Sequence, residues 1–330
     1  MALSSDPTLA PKPVRLADAL SPAERRALVQ KSNLWGAWAI ASTWLSIAAL
    51  LAVAVLLPHP LIWLLCVVFL GGRQLALAVL AHEAAHGTLF RSRSLNDGLA
   101  DWLTARPIWQ DVRRYREHHR QHHRHTGTVQ DPDLSLHRGL PVSKASLRRK
   151  FLRDAFGLTG LKLAFGLLMM DLGYFRYTVA ADVQRLPQEG RRPLDRVVDG
   201  LWHFGPVVLS NGLIYAALAM AGVGWVYGLW VLAWFTSFPV VLRIRSIAEH
   251  GLCPQVPDML QNTRTTHAGW LARLLVAPMQ VNFHREHHLM AAVPCYRLKA
   301  LNRMLRERGL VPQRDPTYLE VLRLASAAQA

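Results

Sequence analysis

The sequence predicts an all-α membrane protein: four transmembrane helices in two hairpins, with a cytoplasmic helical cap holding a histidine-rich di-metal site. Three observations predict it. Long uncharged apolar windows come in pairs, 37 of the 38 Lys and Arg residues fall outside those windows on what would be one side, and the histidines gather in three clusters on that side. Of 330 residues, 51% are hydrophobic, 18% are charged and 11 are Trp. That balance excludes a disordered chain and is unusual for a soluble one. The three cysteines, Cys66, Cys253 and Cys295, form neither an even disulfide framework nor a close metal pair, so they read as reduced thiols.

Residues 1–33 are polar and Pro-bearing and contain no apolar core ahead of a cleavage site. They read as a cytoplasmic N-terminal segment without a cleaved signal peptide. Residues 34–57 carry no charge, and at about 1.5 Å per residue they can cross a hydrocarbon core of about 30 Å. After the breaker Pro58-His59-Pro60, residues 61–81 form a second apolar run interrupted only by Arg73. Residues 204–222 and 224–242 repeat the pairing with no charged residue in either window. Two hairpins with short uncharged tips follow, joined by a cytoplasmic loop over 82–200. The membrane domain is expected to run over 34–305 and a cytoplasmic C-terminal tail over 306–330.

The asymmetry of basic residues predicts that the termini, the loop and the site are cytoplasmic. It also accounts for most of the net charge of +16 without any nucleic acid. Two further apolar stretches, 155–177 and 268–281, contain Lys162, Asp171 and Arg273 and read as helices lying on the membrane or packed under it. Arg73 lies nine residues before His82, where a charge is costly; it is expected to pair with Gln74, Asn211 or a backbone carbonyl, or else to reach a polar substrate group.

The clusters are His82 and His86, then His118, His119, His122, His123 and His125, then His284, His287 and His288. HEAAH puts His82 and His86 one helical turn apart on one face, where two imidazoles can bind metal. The other clusters both contain H-x-x-H-H, at His119, His122, His123 and at His284, His287, His288, and offsets of 0, 3 and 4 keep three rings on one face. Four nitrogens saturate a zinc ion, whereas eight neutral donors with exchangeable positions suit two iron ions that also bind oxygen. HExxH alone is the zinc protease signature, with Glu83 as its general base, but a protease needs one further ligand rather than six. His59 and His203 read as interfacial residues, and His118, His125 and His137 as extras outside the ligand set. Read alone, the HHRQHHRH run fits a solvated basic stretch; its register match to the third cluster argues otherwise.

These residues resemble the integral-membrane fatty acid desaturase and hydroxylase superfamily, whose members carry three histidine boxes of the forms H-x(3 or 4)-H, H-x(2 or 3)-H-H and H-x-x-H-H. The likeness extends to YREHHRQHHRHTGTVQDPD at 115–133, EHG at 249–251 and NFHREHHLMAAVPCYRL at 282–298. It implies a di-iron centre held by His82, His86, His119, His122, His123, His284, His287 and His288. Similarity to the acyl-CoA desaturases adds His250 as a ninth ligand. Ser246 stands where those relatives have an Asn that contacts iron through water, and Asn282 reads as structural or supporting.

The resemblance implies oxygen-dependent desaturation of a lipid-like acyl chain, with hydroxylation or ketone formation on a fatty, alkane or carotenoid substrate as the competing outcome. The carboxylates of Glu83, Glu249, Glu286, Asp131 and Asp133 are candidates to hold the second nitrogen of ligating imidazoles. No cytochrome b5, flavin or iron–sulfur motif is evident, so electrons are expected from a separate donor of ferredoxin, cytochrome b5 or rubredoxin type. Arg113, Arg114, Arg116, Arg148, Arg149, Lys150, Arg191 and Arg192 are candidates to dock that carrier or an anionic head group.

Overall fold

The computed structural model describes residues 19–327; the expectations for 1–18, and for the last three residues of the predicted tail, lie outside the described residues. The helices are α1 (Pro22–Leu28), α2 (Asn33–Leu56), α3 (Pro60–His86), α4 (Val112–His125), α5 (Leu134–His137), α6 (Lys144–Ala155), α7 (Leu158–Asp171), α8 (Pro193–His203), α9 (Gly205–Met220), α10 (Tyr227–Phe235), α11 (Ser237–His250), α12 (Trp270–Leu275), α13 (His284–Leu289), α14 (Cys295–Glu307) and α15 (Tyr318–Ala325). Between α3 and α4 the chain makes two π-helical turns, Leu95–Leu99 and Asp101–Ala105, and a 3₁₀ turn, Arg106–Ile108. Among the described residues no strand forms, only three isolated bridges.

Three helical stretches are long and apolar enough to cross a membrane: Pro22–Leu56, Pro60–His86 and Gly224–His250. The pair α8 and α9, bent by 44°, makes a fourth if counted as one span. The apolar windows mark these helices but not their ends. Ser32 starts α2 by accepting a hydrogen bond from Trp35 N at 3.2 Å, and Pro60 occupies the first turn of α3, where its missing N–H costs nothing. Beyond the apolar window, α3 runs on through HEAAH, whose alanines favour helix, as the histidine spacing implies, and ends where Gly87 takes the left-handed conformation at φ 69°. The first histidine pair is therefore the last turn of a helix long and apolar enough to span a membrane. Likewise the stretch from Gly224 continues past residue 242 to His250, with an interruption at Thr236 between α10 and α11.

Of the two stretches expected to lie on or under the membrane, 155–177 is cut by Gly157 at φ 79° and contributes α7, while 268–281 holds only the six-residue α12 and a 3₁₀ turn at Pro278–Gln280.

Helix α3 is the central column. Its buried Leu70, Leu75, Leu77 and Val79 pack with Trp230, Ala233 and Trp234 from α10 and Phe238 from α11. Close approach is possible because Gly71 and Gly72 lack side chains. A Cβ on Gly71 would fall 2.4 Å from Ser237 Oγ and 2.8 Å from Phe238 N, and one on Gly72 would fall 2.8 Å from the Leu274 carbonyl oxygen. The same Leu274 carbonyl accepts from Arg73, and Gln74 Nε2 donates to the Trp230 carbonyl at 2.9 Å. Arg73 and the amide nitrogen of Gln74 thus find acceptors within the protein, as an apolar surrounding requires, while Gln74 Oε1 is buried without a partner.

Buried ion pairs fix the segment after α3. Arg106 contacts Asp101 at 2.6 Å and Asp111 at 2.7 Å, and Asp111 Oδ1 caps α4 through Arg113 N and Arg114 N. Arg243 on α11 holds Asp154 on α6. The region expected as a C-terminal tail is packed: Val321 and Ala325 of α15 are buried with Leu147 and Ile247.

Candidate metal centre

Two helical stretches long and apolar enough to span a membrane, α3 and Gly224–His250, end at His86 and His250, and α4 and α13 are laid across those ends. Asp111 starts α4 so that Tyr115, His119 and His122 turn inward, with Val112 buried beneath them. The short α13 presents His284, His287 and His288, all buried. It is anchored from behind by Glu286, which accepts from Thr265 and, at 2.8 Å, from Asn302 Nδ2.

The nine histidines predicted as ligands come together. His82, His86, His119 and His287 form one quartet and His122, His250, His284 and His288 another, each with one nitrogen per ring within 4.8 Å of the others. His123 joins the first quartet, its Nε2 lying 3.0 Å from both His119 Nε2 and His287 Nε2, and its ring stacks on His288 at 4.2 Å, so it stands between the two groups. His82 Nε2 lies 3.0 Å from His287 Nε2, and His284 Nε2 lies 2.7 Å from His250 Nε2.

Metal fits these contacts. A metal–nitrogen bond of about 2.1 Å places neighbouring ligand nitrogens roughly 3 Å apart, the separation seen between these Nε2 atoms. The Nε2 atoms of His86 and His288 are also buried without a hydrogen-bond partner. Burial holds His119, His284, His287 and His288 well below the usual imidazole range, reinforced by their histidine neighbours, so they are neutral donors, the form that binds metal. His122 is the exception: burial lowers it, but the Asp133 and Asp131 carboxylates outweigh burial and raise it.

The outer nitrogens are held in turn. Tyr115, which the sequence reading passed over, places its hydroxyl 3.1 Å from His82 Nδ1 and 3.4 Å from His119 Nδ1. Its oxygen can accept from both Nδ1–H groups, which fixes both rings in the tautomer whose Nε2 faces the centre. The signal was present in the i, i+4 spacing of Tyr115 and His119.

Of the five carboxylates considered, Asp131 accepts from His122 Nδ1 at 2.8 Å, and Asp133 lies 3.7 Å from the same nitrogen and 2.7 Å from His118 Nε2. Glu249 pairs with Arg245 at 2.6 Å and lies 3.5 Å from His284 Nδ1. Glu83 and Glu286 do not hold histidines. Glu83 accepts from Thr88 Oγ1 at 2.7 Å and from Cys295 N at 3.0 Å, so it ties the start of α14 to the end of α3.

Other residues fall outside the two quartets. His118 is taken by Asp133, and His59 caps α3 by accepting from Leu61 N. His137 stacks on His250 at 5.4 Å without joining either quartet. Ser246 is half-buried one turn before His250, and Asn282 donates to the Thr266 carbonyl at 2.9 Å, a structural bond. Among the basic residues considered for docking, Arg114 is paired with Asp171 and Arg116 with Asp97.

The model of the family described as fatty acid desaturase matches residues 58–321. A dihydrorhizobitoxine desaturase of Bradyrhizobium elkanii is 25% identical over 296 residues, 89% of this chain and 79% of that protein. An sn-1 oleoyl-lipid 12-desaturase of Anabaena variabilis is 24% identical over 266 residues, 76% of this chain and 69% of its own. A beta-carotene 4-ketolase of Protosiphon botryoides is 33% identical over 117 residues, 32% of this chain and 29% of the ketolase. With the matched region enclosing every histidine of both quartets, the chain belongs to the fatty acid desaturase family.

Proposed function

We propose that this oxidoreductase is a membrane-bound di-iron desaturase that uses oxygen and externally supplied electrons to remove two hydrogens from adjacent methylenes of an acyl chain. The observation that carries the reading is the pair of histidine quartets, with His123 between them, at the inner ends of two helices long enough to span a bilayer. His82, His86, His119, His123 and His287 would hold one iron, and His122, His250, His284 and His288 the other. When bound, the irons supply an oxidant strong enough for an unactivated C–H bond, which no side chain can provide.

The protein's own residues do the rest. Tyr115 and Asp131 hold the rings of His82, His119 and His122 by their outer nitrogens. Burial of seven of the nine rings keeps bulk water from the reacting region. An apolar cleft of about 380 Å³ lined by Trp44, Ile47, Leu51, Ile214, Leu218 and Trp230 suits a hydrocarbon chain. It reaches Trp230, whose carbonyl holds Gln74, about 12 Å along α3 from His82. The bias of basic residues supports a cytoplasmic location for the site and both termini.

A second reading, hydroxylation or ketone formation by the same centre, is favoured by the similarity to a carotene ketolase. A zinc protease reading needs Glu83 beside the metal as a base, and that carboxylate is bound to Thr88 and the Cys295 amide instead. Mass spectrometry of lipids from a host expressing the protein separates the first two. Loss of two mass units supports desaturation, and gain of one oxygen overturns it in favour of hydroxylation.

A further inference from the structure

Helix α4 has two faces of different character. His119, His122 and His123 turn toward the two quartets, whereas Arg113, Glu117, Arg120 and Arg124 are exposed. Offsets of 0, 4, 7 and 11 place these four residues within about 60° of arc on one side of a helix. The cations beside them are occupied: Arg114 pairs with Asp171, while Arg116 pairs with Asp97 and donates to the Ala84 and Ala85 carbonyls. The stripe therefore offers three exposed guanidinium groups against a single carboxylate. Arg93, with a side chain 83% exposed, contacts the same Asp97 that holds Arg116 and extends the cationic surface beyond α4.

A separate observation says where the candidate centre comes nearest to solvent. Seven of the nine rings are buried, and only His86 and His123 are half-buried. His86 keeps its Nε2 buried without a hydrogen-bond partner. His123 is the immediate sequence neighbour of Arg124, and Arg120 adjoins His119. The cationic stripe and His123 thus share one helix, about one helix diameter, roughly 10 Å, in thickness, and the His86 ring at the end of α3 lies 4.9 Å from that of His123.

We infer that the exposed arginine face of α4 is the docking surface for an acidic one-electron redox carrier, with electrons entering past His86 and His123. The inference rests on the di-iron reading, which requires two electrons from outside the centre. In each encounter the reduced carrier would give up one electron to an iron held by the histidines, with no bond formed or broken, and two encounters would supply the two electrons that the reading requires. Anionic lipid head groups would also be drawn to arginines. They give no reason for the two most accessible rings to lie beside the stripe, and carrier docking does. A charged patch on a rigid helix steers an oppositely charged partner and sets its orientation.

The test uses the full chain in nanodiscs of phosphatidylcholine and an acidic plant-type [2Fe–2S] ferredoxin as the probe. Oxidised ferredoxin should bind with an affinity that falls as salt rises, and R120E/R124E should weaken it by about tenfold or more and flatten the salt dependence. R148E/R149E, on the exposed side of α6, should leave affinity within about twofold. Oxidation of reduced ferredoxin should slow in parallel in R120E/R124E, while reduction by a small uncharged reductant and the metal content stay unchanged. Unchanged ferredoxin affinity in R120E/R124E, or an equal loss in R148E/R149E, overturns the assignment. A loss that appears only in discs containing phosphatidylglycerol also overturns it and gives the stripe to lipid. If the parent binds ferredoxin through Arg120 and Arg124 yet holds no reducible metal, the docking surface stands and the di-iron reading falls.

Discussion

His82 Nε2 and His287 Nε2 lie 3.0 Å apart although 205 positions separate them in the chain. One belongs to the last turn of a helix long and apolar enough to span a membrane and the other to a six-residue helix laid beneath it. The outer nitrogen of His82 meets Tyr115 of a third helix, and His287 Nε2 also lies 3.0 Å from His123 Nε2, so the pair is held in place by the fold and not by local sequence. Expected consequences follow from who holds whom.

Tyr115 accepts from two outer nitrogens at once. Tyr115→Phe should keep the fold, since the ring is retained, but should loosen His82 and His119 together. Metal affinity is expected to drop by about 10–100-fold, the range for losing a partner of a ligating imidazole. Competition with a chelator measures this, and a variant that holds metal as tightly as the parent contradicts the role.

Asp131→Asn replaces the carboxylate facing His122 Nδ1 with a neutral amide of the same shape. The acceptor is retained and its charge is lost, so a modest loss of metal affinity is expected, smaller than for Asp131→Ala, which removes the acceptor altogether. Equal affinities in all three proteins would mean that His122 is positioned by other contacts.

Gly71→Ala would put a methyl group 2.4 Å from Ser237 Oγ and 2.8 Å from Phe238 N. The Phe238 amide is backbone and cannot step aside cheaply, so a destabilisation of about 1–3 kcal/mol is expected. Gly212→Ala, with open space around the added Cβ, is the control. Thermal unfolding in detergent reads both, and the two variants should differ by several degrees.

Glu83→Gln keeps the shape of the side chain that ties Thr88 and Cys295 N to the end of α3. It should retain the parent's metal content and turnover. Loss of activity with metal intact would make Glu83 a chemical participant and reopen the protease reading.

Much of the site was legible because spacing on a helix is a geometric statement. HEAAH and the two H-x-x-H-H runs each put their rings on one face, and those faces meet. His250 was reached only by resemblance, since a lone histidine at the end of an apolar helix has no spacing partner. Hydropathy marks the apolar part of a helix and not its end: α3 continues through polar HEAAH, as the histidine spacing implies, until Gly87 stops it. Tertiary partners were the least legible part. Nothing local distinguishes Glu83, which serves α14, from Asp131, which serves His122, or Arg116, consumed by Asp97, from the exposed Arg120. Such distinctions depend on segments brought together only by folding.

Metal analysis of the purified full-length protein and of His287→Ala, by inductively coupled plasma mass spectrometry, tests the central claim most directly. Two irons per chain in the parent, with a marked loss in the variant that still inserts into the membrane, is the expected result. A single zinc per chain, or iron content unaffected by removing His287, would contradict it.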